Sequence, residues 1–255
     1  MTDLLKGYHN VQRNSDHRLS CFNEPLGHSN YLVFLSRDRS ARVHQALIPG
    51  MLDHDNWTRN HIMQEYTAAI DEYLRNVKRV LDKLDVAEID AVCGIFKKAY
   101  DQERTIFLMG NGGSASTASH MACDINKGAC LRAKKKFRVM ALTDNLPIIM
   151  AIANDIGYDS IFVEQLKNFA RPGDVVVGIS GSGNSPNVIK GIQYARELGC
   201  TTIGVCGYDG GKLKPLVDAC FHVKINDMQI VEDLHLILGH ILMRVLYVDG
   251  ADGDC

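Results

Sequence analysis

Apolar residues recur along this chain with two different periods. Between Trp57 and Tyr100 they return every three or four residues, which predicts two helices with a break near Leu84–Val86. After Gln102 the pattern changes, and short apolar runs alternate with helical stretches. The runs that we predict as strands are Thr105–Met109, Phe137–Leu142, Val175–Ile179, Thr202–Cys206 and Ala219–Val223.

This alternation predicts the fold class. The strands are nearly all apolar, as in Val175–Val177, which is typical of a parallel sheet covered by helices on both faces. Repeated strand–helix units imply right-handed crossovers. We therefore predict a doubly wound α/β domain, an αβα sandwich of about five parallel strands preceded by N-terminal helices. It should span residues 57–250. Residues 1–56 carry no recognisable motif and form an extension of unknown role.

Composition narrows the class of protein. A chain of 255 residues with 46% hydrophobic and 23% charged residues suits one sizeable soluble domain. A net charge of −2 gives no reason to expect a nucleic-acid partner. The eight cysteines are scattered without a CxxC pair, which indicates reduced thiols and a cytoplasmic location. No signal-peptide core or bilayer-length apolar stretch is present, so no membrane partner is expected.

The loop after the first predicted strand is rich in glycine. It reads Gly110-Asn111-Gly112-Gly113-Ser114. Glycine lets the backbone turn sharply and approach a ligand closely. Ser114 could cap the following helix or bind an anion with its N–H and hydroxyl groups. A plain glycine turn is the alternative for this loop taken alone.

The loop after the third predicted strand carries three hydroxyl groups, those of Ser180, Ser182 and Ser185. Pro186 suits the first position of a helix, which makes Ser185 the N-cap. Hydroxyls and free N–H groups then converge on a positive helix end, which is a phosphate cradle without lysine. Neither loop has a Walker A or GxGxxG sequence, which argues against a nucleotide. A sugar phosphate fits both loops better.

Histidines and carboxylates recur on two predicted helices. His120 and Asp124 are four residues apart and share one helix face, where they could chelate a metal or pair a base with a polar orienter. The last helix carries Glu232, His235 and His240 among apolar residues. A lone histidine there is more often a satisfied core residue. Because eight residues of helix span ~12 Å, Glu232 and His240 act separately or meet across a subunit interface. We favour the interface, and so an oligomer.

Several runs together resemble one known family. They are GNGGSASTASH at 110–120, AIANDIGY at 151–158, RPGDVVVGISGSGNSPNVIK at 171–190, GYDGGKL at 207–213 and the histidine-bearing helix at 229–247. They resemble the phosphoheptose isomerases, SIS-domain proteins that convert sedoheptulose 7-phosphate to a manno-heptose 7-phosphate. The resemblance covers residues 60–247. It implies a cytoplasmic homotetramer with active sites between subunits.

The resemblance also implies a set of site residues. The family's phosphate-binding serines and first-loop contacts fall on the two loops above, and its substrate-contacting aspartate falls on Asp144 or Asn145. Its metal ligands, usually holding zinc, fall on His120, Asp124, Glu232 and His240. The implied catalytic residues are Asp124 and His240. The candidate substrate-binding residues are Asn111, Gly112, Gly113, Ser114, Asp144, Asn145, Ser180, Gly181, Ser182, Ser185 and Glu232.

Two positions depart from the family pattern. Asp124 stands where the family has glutamate, and Glu232 where it has glutamine. The chain could keep the chemistry, act on another sugar phosphate, or have lost turnover and serve as a sugar-phosphate sensor. Because His240 and a carboxylate at position 124 are retained, we predict an active isomerase that uses proton transfer. A divalent metal, with zinc favoured but nickel, manganese and iron compatible, would assist it.

Overall fold

The computed structural model describes the backbone of residues 52–248 and the side chains of residues 66–248. By its internal contacts the chain divides into Met1–Thr58 and Arg59–Cys255, and the second unit contains the sheet and the site residues. The predicted extension, residues 1–56, lies outside the described residues except for the start of the first helix.

Helices and strands alternate through the second unit. The helices are α1 (Leu52–Leu81), α2 (Val86–Asp101), α3 (Gly113–Cys123), α4 (Leu146–Asp155), α5 (Val163–Phe169), α6 (Pro186–Leu198) and α7 (Met228–Val245). The strands are β1 (Thr105–Gly110), β2 (Arg138–Ala141), β3 (Val175–Ser180), β4 (Thr201–Gly207) and β5 (Ala219–Val223). A π-helical segment, Asp124–Ala129, continues α3, and 3₁₀ turns occupy Tyr158–Ser160 and Lys214–Leu216.

Local sequence explains where these elements begin and end. Asp85 caps α2 by accepting a hydrogen bond from the Ala87 N–H at 2.9 Å, and the predicted break between α1 and α2 is confirmed. Asp227 caps α7 in the same way through Ile230 at 3.2 Å. Helix α6 begins with Pro186 at its first position, as predicted, and the left-handed Gly199 follows its last residue.

The sheet is fully parallel, with strand order β2-β1-β3-β4-β5. The predicted doubly wound α/β fold is therefore confirmed. The order of strands changes side at β1, because β2 lies on one side of β1 and β3 on the other. Strands β1 and β3 pair in parallel, with Gly110 opposite Ile179. In open α/β sheets a crevice forms at such a change of side, beyond the carboxyl ends of the strands. The two predicted ligand loops leave the sheet at this point.

The core has two apolar layers, one on each face of the sheet. Ile106 and Leu108 of β1 face the layer covered by α2, α3 and α7, whereas Phe107 and Met109 face the layer covered by α4, α5 and α6. This alternation follows the two-residue period of a strand. Edge strand β2 differs, because alternate residues on it are exposed. The expectation that helices cover both faces is wrong for β2.

The structure tests two predictions, reduced cysteines and no membrane span, for the described residues only. The six cysteines of residues 66–248 are all free, as predicted for reduced thiols. Among the helices that the structure describes, none combines the length and the apolar character needed to span a bilayer.

Candidate active site

The loop between β1 and α3, called loop 1 here (residues 110–113), makes a tight turn. Helix α3 starts at Gly113, and its N-cap is Gly112, whose φ of 54° lies in the left-handed region. Ser114 is therefore the second helical residue and is buried. The interpretation of Ser114 as a helix cap is wrong, because the turn closes two residues earlier. Its role in binding an anion stays a prediction.

Asn111 in loop 1 belongs to a network of amide groups. Its side chain exchanges hydrogen bonds with that of Asn187, in the first turn of α6, at 2.9 and 2.8 Å. The Tyr158 hydroxyl donates to the Asn111 Oδ1 at 2.9 Å. Sequence reasoning missed Asn187 and Tyr158. A polar residue directly after Pro186, at a helix position that faces the sheet, was the available signal for Asn187.

The loop between β3 and α6, called loop 2 here (residues 180–185), presents hydroxyl groups. The Oγ atoms of Ser180 and Ser185 lie 3.0 Å apart. Ser185 is the N-cap of α6, as predicted, but its side chain caps no backbone N–H. Its hydroxyl therefore faces Ser180 at a positive helix end. Because Pro186 has no N–H and the Val188 N–H is bonded to the Asn187 side chain, the Asn187 N–H is the first-turn donor left for an anion. Ser182 accepts a hydrogen bond from the Asn184 N–H at 3.2 Å.

A third loop, residues 207–213, is hydrogen-bonded to loop 2. The N–H groups of Gly207 and Leu213 donate to the carbonyls of Gly181 and Gly183 at 2.8 and 3.0 Å. The Lys212 N–H donates to the Asn184 side chain at 3.2 Å. These bonds fix the backbone of loop 2 without using its hydroxyls. Sequence reasoning gave this third loop no structural role.

His120, Asp124 and His240 come together within one chain. Their ligating atoms all lie within 4.8 Å of one another. The two Nε2 atoms are 3.1 Å apart, and the Asp124 Oδ2 is 3.2 Å from His120 and 3.8 Å from His240. Asp124 begins the π-helical segment that widens the end of α3, a device frequent at functional sites.

This cluster fits a divalent metal by its donor set. Two imidazole nitrogens and one carboxylate oxygen are ligands that zinc and other first-row ions accept. The side chains of His120, Asp124 and His240 are 47%, 21% and 54% exposed, which leaves room for a further ligand on the solvent side. A site with three protein ligands and an open position is typical of catalytic zinc.

Glu232 lies apart from this cluster. Its carboxylate covers the start of α3, since a methyl group added to Gly113 would lie 2.5 Å from both carboxylate oxygens. The α3 N-terminus carries partial positive charge, which favours a carboxylate there. Structure thus brings together three of the four predicted metal ligands, and a ligand role for Glu232 stays a prediction.

Asp144 and Asn145 follow β2 and have different surroundings. Asp144 accepts a short hydrogen bond from the Ser119 hydroxyl on α3. Asn145 caps α4 by accepting from the Ile148 N–H at 3.4 Å. Both line an open groove of about 630 Å³ along edge strand β2. The Asn145 Oδ1 is used in capping, whereas Asp144 keeps a second carboxylate oxygen, Oδ2, without a hydrogen bond in residues 66–248, so Asp144 is the better candidate of the two for substrate contact.

His235 on α7 is buried in the core, against the ring of Phe221. Burial lowers its pKa to about 4, so it is neutral near pH 7. An interaction with the Cys206 backbone opposes part of this shift. The interpretation of His235 as a core residue is confirmed.

Comparisons with known proteins identify the family of this chain. A family model described as SIS domain matches residues 72–207. The chain is 37% identical over 175 residues to a probable phosphoheptose isomerase of Thermoplasma acidophilum, which covers 69% of this chain and 96% of the relative. It is 36% identical over 170 residues to the phosphoheptose isomerase of Aquifex aeolicus, covering 67% and 88% of the two chains.

Solved structures show the same fold. The phosphoheptose isomerase of Neisseria gonorrhoeae superposes with a TM-score of 0.66 at 30% identity, covering 72% of this chain and 98% of that one. The enzyme of Francisella tularensis gives a TM-score of 0.67 at 19% identity, covering 72% and 97%, and shows the likeness of fold alone. The chain belongs to the SIS domain family. Within it, the chain is a member of the phosphoheptose isomerase family and an isomerase.

Proposed function

We propose that this enzyme isomerises sedoheptulose 7-phosphate to D-glycero-D-manno-heptose 7-phosphate. The observation that carries the proposal is the pair of features that α3 connects, one at each of its ends. This helix starts from the ligand loop after β1, and at its end His120 and Asp124 meet His240 of α7. One helix therefore links a predicted sugar-phosphate crevice to an acid–base cluster. The names of the relatives support the choice of a heptose phosphate.

The proposed reaction divides the work between the loops and the cluster. Ser180, Ser182 and Ser185 hold the phosphate, together with the backbone N–H of Asn187 in the first turn of α6. Asp124 removes a proton from the carbon next to the carbonyl of the open-chain ketose. His240 acts as the complementary acid or base. One proton moves between the two reacting carbons and one between their oxygens, so that none is gained or lost overall.

His120, Asp124 and His240 would hold the metal, for which zinc is the proposed ion. When bound, a divalent ion supplies Lewis-acid stabilisation of the negative charge that develops on the enediolate oxygens. An atom that binds the ion directly cannot also transfer a proton, so the acid–base roles of Asp124 and His240 require the ion to be held through water or through their other ligand atoms. Glu232 and Asp144 are proposed contacts of the sugar hydroxyls.

We further propose a cytoplasmic homotetramer. Tyr66, Ile70 and Leu74 recur at four-residue steps on α1, and each side chain is more than half exposed. Apolar stripes of this kind on a helix usually meet another helix. Light scattering of the purified protein measures the assembly directly.

An assay with His240→Gln tests the mechanism. We expect the metal-loaded wild type to convert sedoheptulose 7-phosphate faster than arabinose 5-phosphate or an amino-sugar phosphate. The substitution removes an acid–base group, so turnover should fall ~100-fold or more. Affinity for inorganic phosphate should not change. Arg244→Gln, an exposed change one turn further along α7, is the matched control and should retain full activity.

Two results would overturn the proposal. Unchanged turnover in the His240 variant would remove this residue from the mechanism. A wild type that binds these sugar phosphates but converts none of them, with metal analysis showing a filled site, would favour the sensor alternative.

A further inference from the structure

Asn187 is a buried polar residue whose function no sequence argument anticipated. Its side chain is 1% exposed, although it lies in the first turn of α6 beside an open ligand loop. A buried carboxamide needs hydrogen-bond partners for its two donors and its acceptor. One donor and the acceptor find partners in loop 1, where the side chain of Asn111 exchanges two hydrogen bonds with it at 2.9 and 2.8 Å.

One backbone group fixes the direction of the whole network. The Val188 N–H donates to the Asn187 Oδ1 at 2.9 Å, and a backbone N–H can only donate. The Asn187 Nδ2 must therefore face the Asn111 Oδ1, and the Asn111 Nδ2 must face the Asn187 Oδ1. The Tyr158 hydroxyl donates to the same Asn111 Oδ1 at 2.9 Å.

Counting donors and acceptors shows what Asn111 has left. Its Oδ1 has two acceptor positions, and Asn187 and Tyr158 occupy both. Its Nδ2 has two hydrogens, and one is bonded to Asn187. No hydrogen bond within residues 66–248 uses the second hydrogen. Asn111 can therefore offer a ligand a donor, but not an acceptor.

We propose that Asn187 is a positioning residue that, together with Tyr158, locks Asn111 so that one amide hydrogen faces the sugar portion of the substrate. This proposal rests on the proposed function. The ligand atom that it selects is an oxygen with a free lone pair, such as a carbonyl or a hydroxyl acting as acceptor. The network also joins loop 1 to the first turn of α6. It therefore fixes the distance between the proposed phosphate-binding loop, loop 2, and Asn111, the proposed contact of the sugar.

Asn187→Leu tests the lock without adding charge. Leucine has nearly the same branched shape as asparagine but neither donates nor accepts a hydrogen bond. The Asn111 carboxamide then keeps only the hydrogen bond from Tyr158 and is no longer held in one orientation. We expect kcat/KM for the sugar phosphate to fall ~10-fold or more, the usual size of one lost hydrogen bond.

Three further measurements make this result specific. The inhibition constant of inorganic phosphate should stay within about twofold of the wild type, because the serines of loop 2 are untouched. Tyr158→Phe removes one of the two donors to Asn111 and should lower kcat/KM about threefold. Gln193→Ala, an exposed change on α6, is the control and should leave both constants unchanged.

The possible outcomes separate this proposal from the proposed function. A kcat/KM for Asn187→Leu within twofold of the wild type overturns the positioning role. A parallel loss of phosphate affinity also overturns it, because the residue would then only support the fold of α6. If the wild type turns over no sugar phosphate, the proposed function fails. Direct titration then decides, since the lock still requires Asn187→Leu to weaken sugar-phosphate binding but not inorganic phosphate binding.

Discussion

Loops 1 and 2 look alike in sequence but differ in the charge that faces them. Both follow neighbouring strands, both are rich in glycine and serine, and both lead into a helix N-terminus. The positive end of α3 is already covered by the Glu232 carboxylate. The end of α6 is faced by the hydroxyls of Ser180 and Ser185, and no hydrogen bond or ion pair in the described part of the chain brings a carboxylate to residues 180–186.

Under the proposed function, we expect the two loops to bind different parts of a sugar phosphate. A phosphate carries up to two negative charges and is repelled by a carboxylate, so it should bind at loop 2. Loop 1, with Glu232 and the Asn111 amide, offers an acceptor and a donor of the kind that sugar hydroxyl and carbonyl groups need. We therefore expect a glycine–serine loop before a helix to bind phosphate only where no carboxylate of the protein already faces the positive helix end.

The positive-φ glycines of the two loops, Gly183 and Gly112, also differ in how tightly they are packed. Gly183 of loop 2 lies against the backbone carbonyl of Gly210, whereas nothing lies within 4 Å of a methyl group added at Gly112 of loop 1. Both glycines have positive φ, 65° and 54°. Alanine substitution at each position thus separates backbone strain from packing.

Gly183→Ala should have the largest effect on stability. The added methyl group would collide with a carbonyl that cannot move aside, in addition to the strain of a positive φ, so we expect a loss of about 4 kcal/mol in unfolding free energy. Gly112→Ala suffers the backbone strain alone and should lose about 2 kcal/mol. Urea denaturation of both variants measures the difference. Equal losses would show that the third loop does not hold loop 2 in place.

Hydroxyl removal should have the next largest effect, on binding. Ser180→Ala and Ser185→Ala each delete a donor to a charged phosphate, so the Kd for inorganic phosphate should rise about 10-fold or more. Ser114→Ala, next to loop 1 in the first turn of α3, should change it by less than about twofold, since the buried Ser114 hydroxyl lies at the neutralised helix end. Calorimetric titration measures all three.

The double serine variant sharpens this result. Because the two hydroxyls lie 3.0 Å apart and interact, the loss in the double variant should be smaller than the product of the single losses. A Ser114 variant that weakens phosphate binding as much as the loop 2 variants would contradict the assignment of the phosphate to loop 2.

Sequence periodicity was sufficient to predict the fold, but it did not predict which charged groups face each loop. The five strands were predicted within one or two residues, because a buried parallel strand needs a continuous apolar run and each was bounded by polar residues. Ser185 as N-cap and Asp227 near the start of α7 followed from local rules. Such features depend on residues close together in the chain.

The features that sequence did not predict are contacts between distant residues. Glu232 is 119 positions beyond Gly113, yet its carboxylate covers the start of α3. Asn187 bonds to Asn111 from the neighbouring strand–helix unit, and the third loop supports loop 2 through backbone groups that any sequence possesses. Similarly, His120 and Asp124 were paired by helix spacing, but the position of His240 beside them depends on how α7 packs on α3.

Glu232→Gln gives the smallest expected effect and the most direct test of the comparison. The change keeps the shape of the side chain and removes its charge from the α3 N-terminus. A helix end and a charge interact by about 0.3–1 kcal/mol, so the unfolding free energy should fall by about 0.5 kcal/mol. In the presence of a chelator, the Kd for inorganic phosphate should also decrease, about two- to fivefold, because less negative charge faces the crevice between β1 and β3.

The control must remove the same charge elsewhere. Glu197→Gln lies on the exposed face of α6 near its C-terminal end, far along the helix from loop 2. It should change phosphate affinity much less, and high salt should reduce the effect of Glu232→Gln because salt screens a partly exposed charge. Equal effects from both variants would mean that net charge alone governs binding. No effect from Glu232→Gln would mean that the carboxylate does not distinguish loop 1 from loop 2, and the sugar and phosphate would then have to be assigned to the loops by their hydroxyl groups alone.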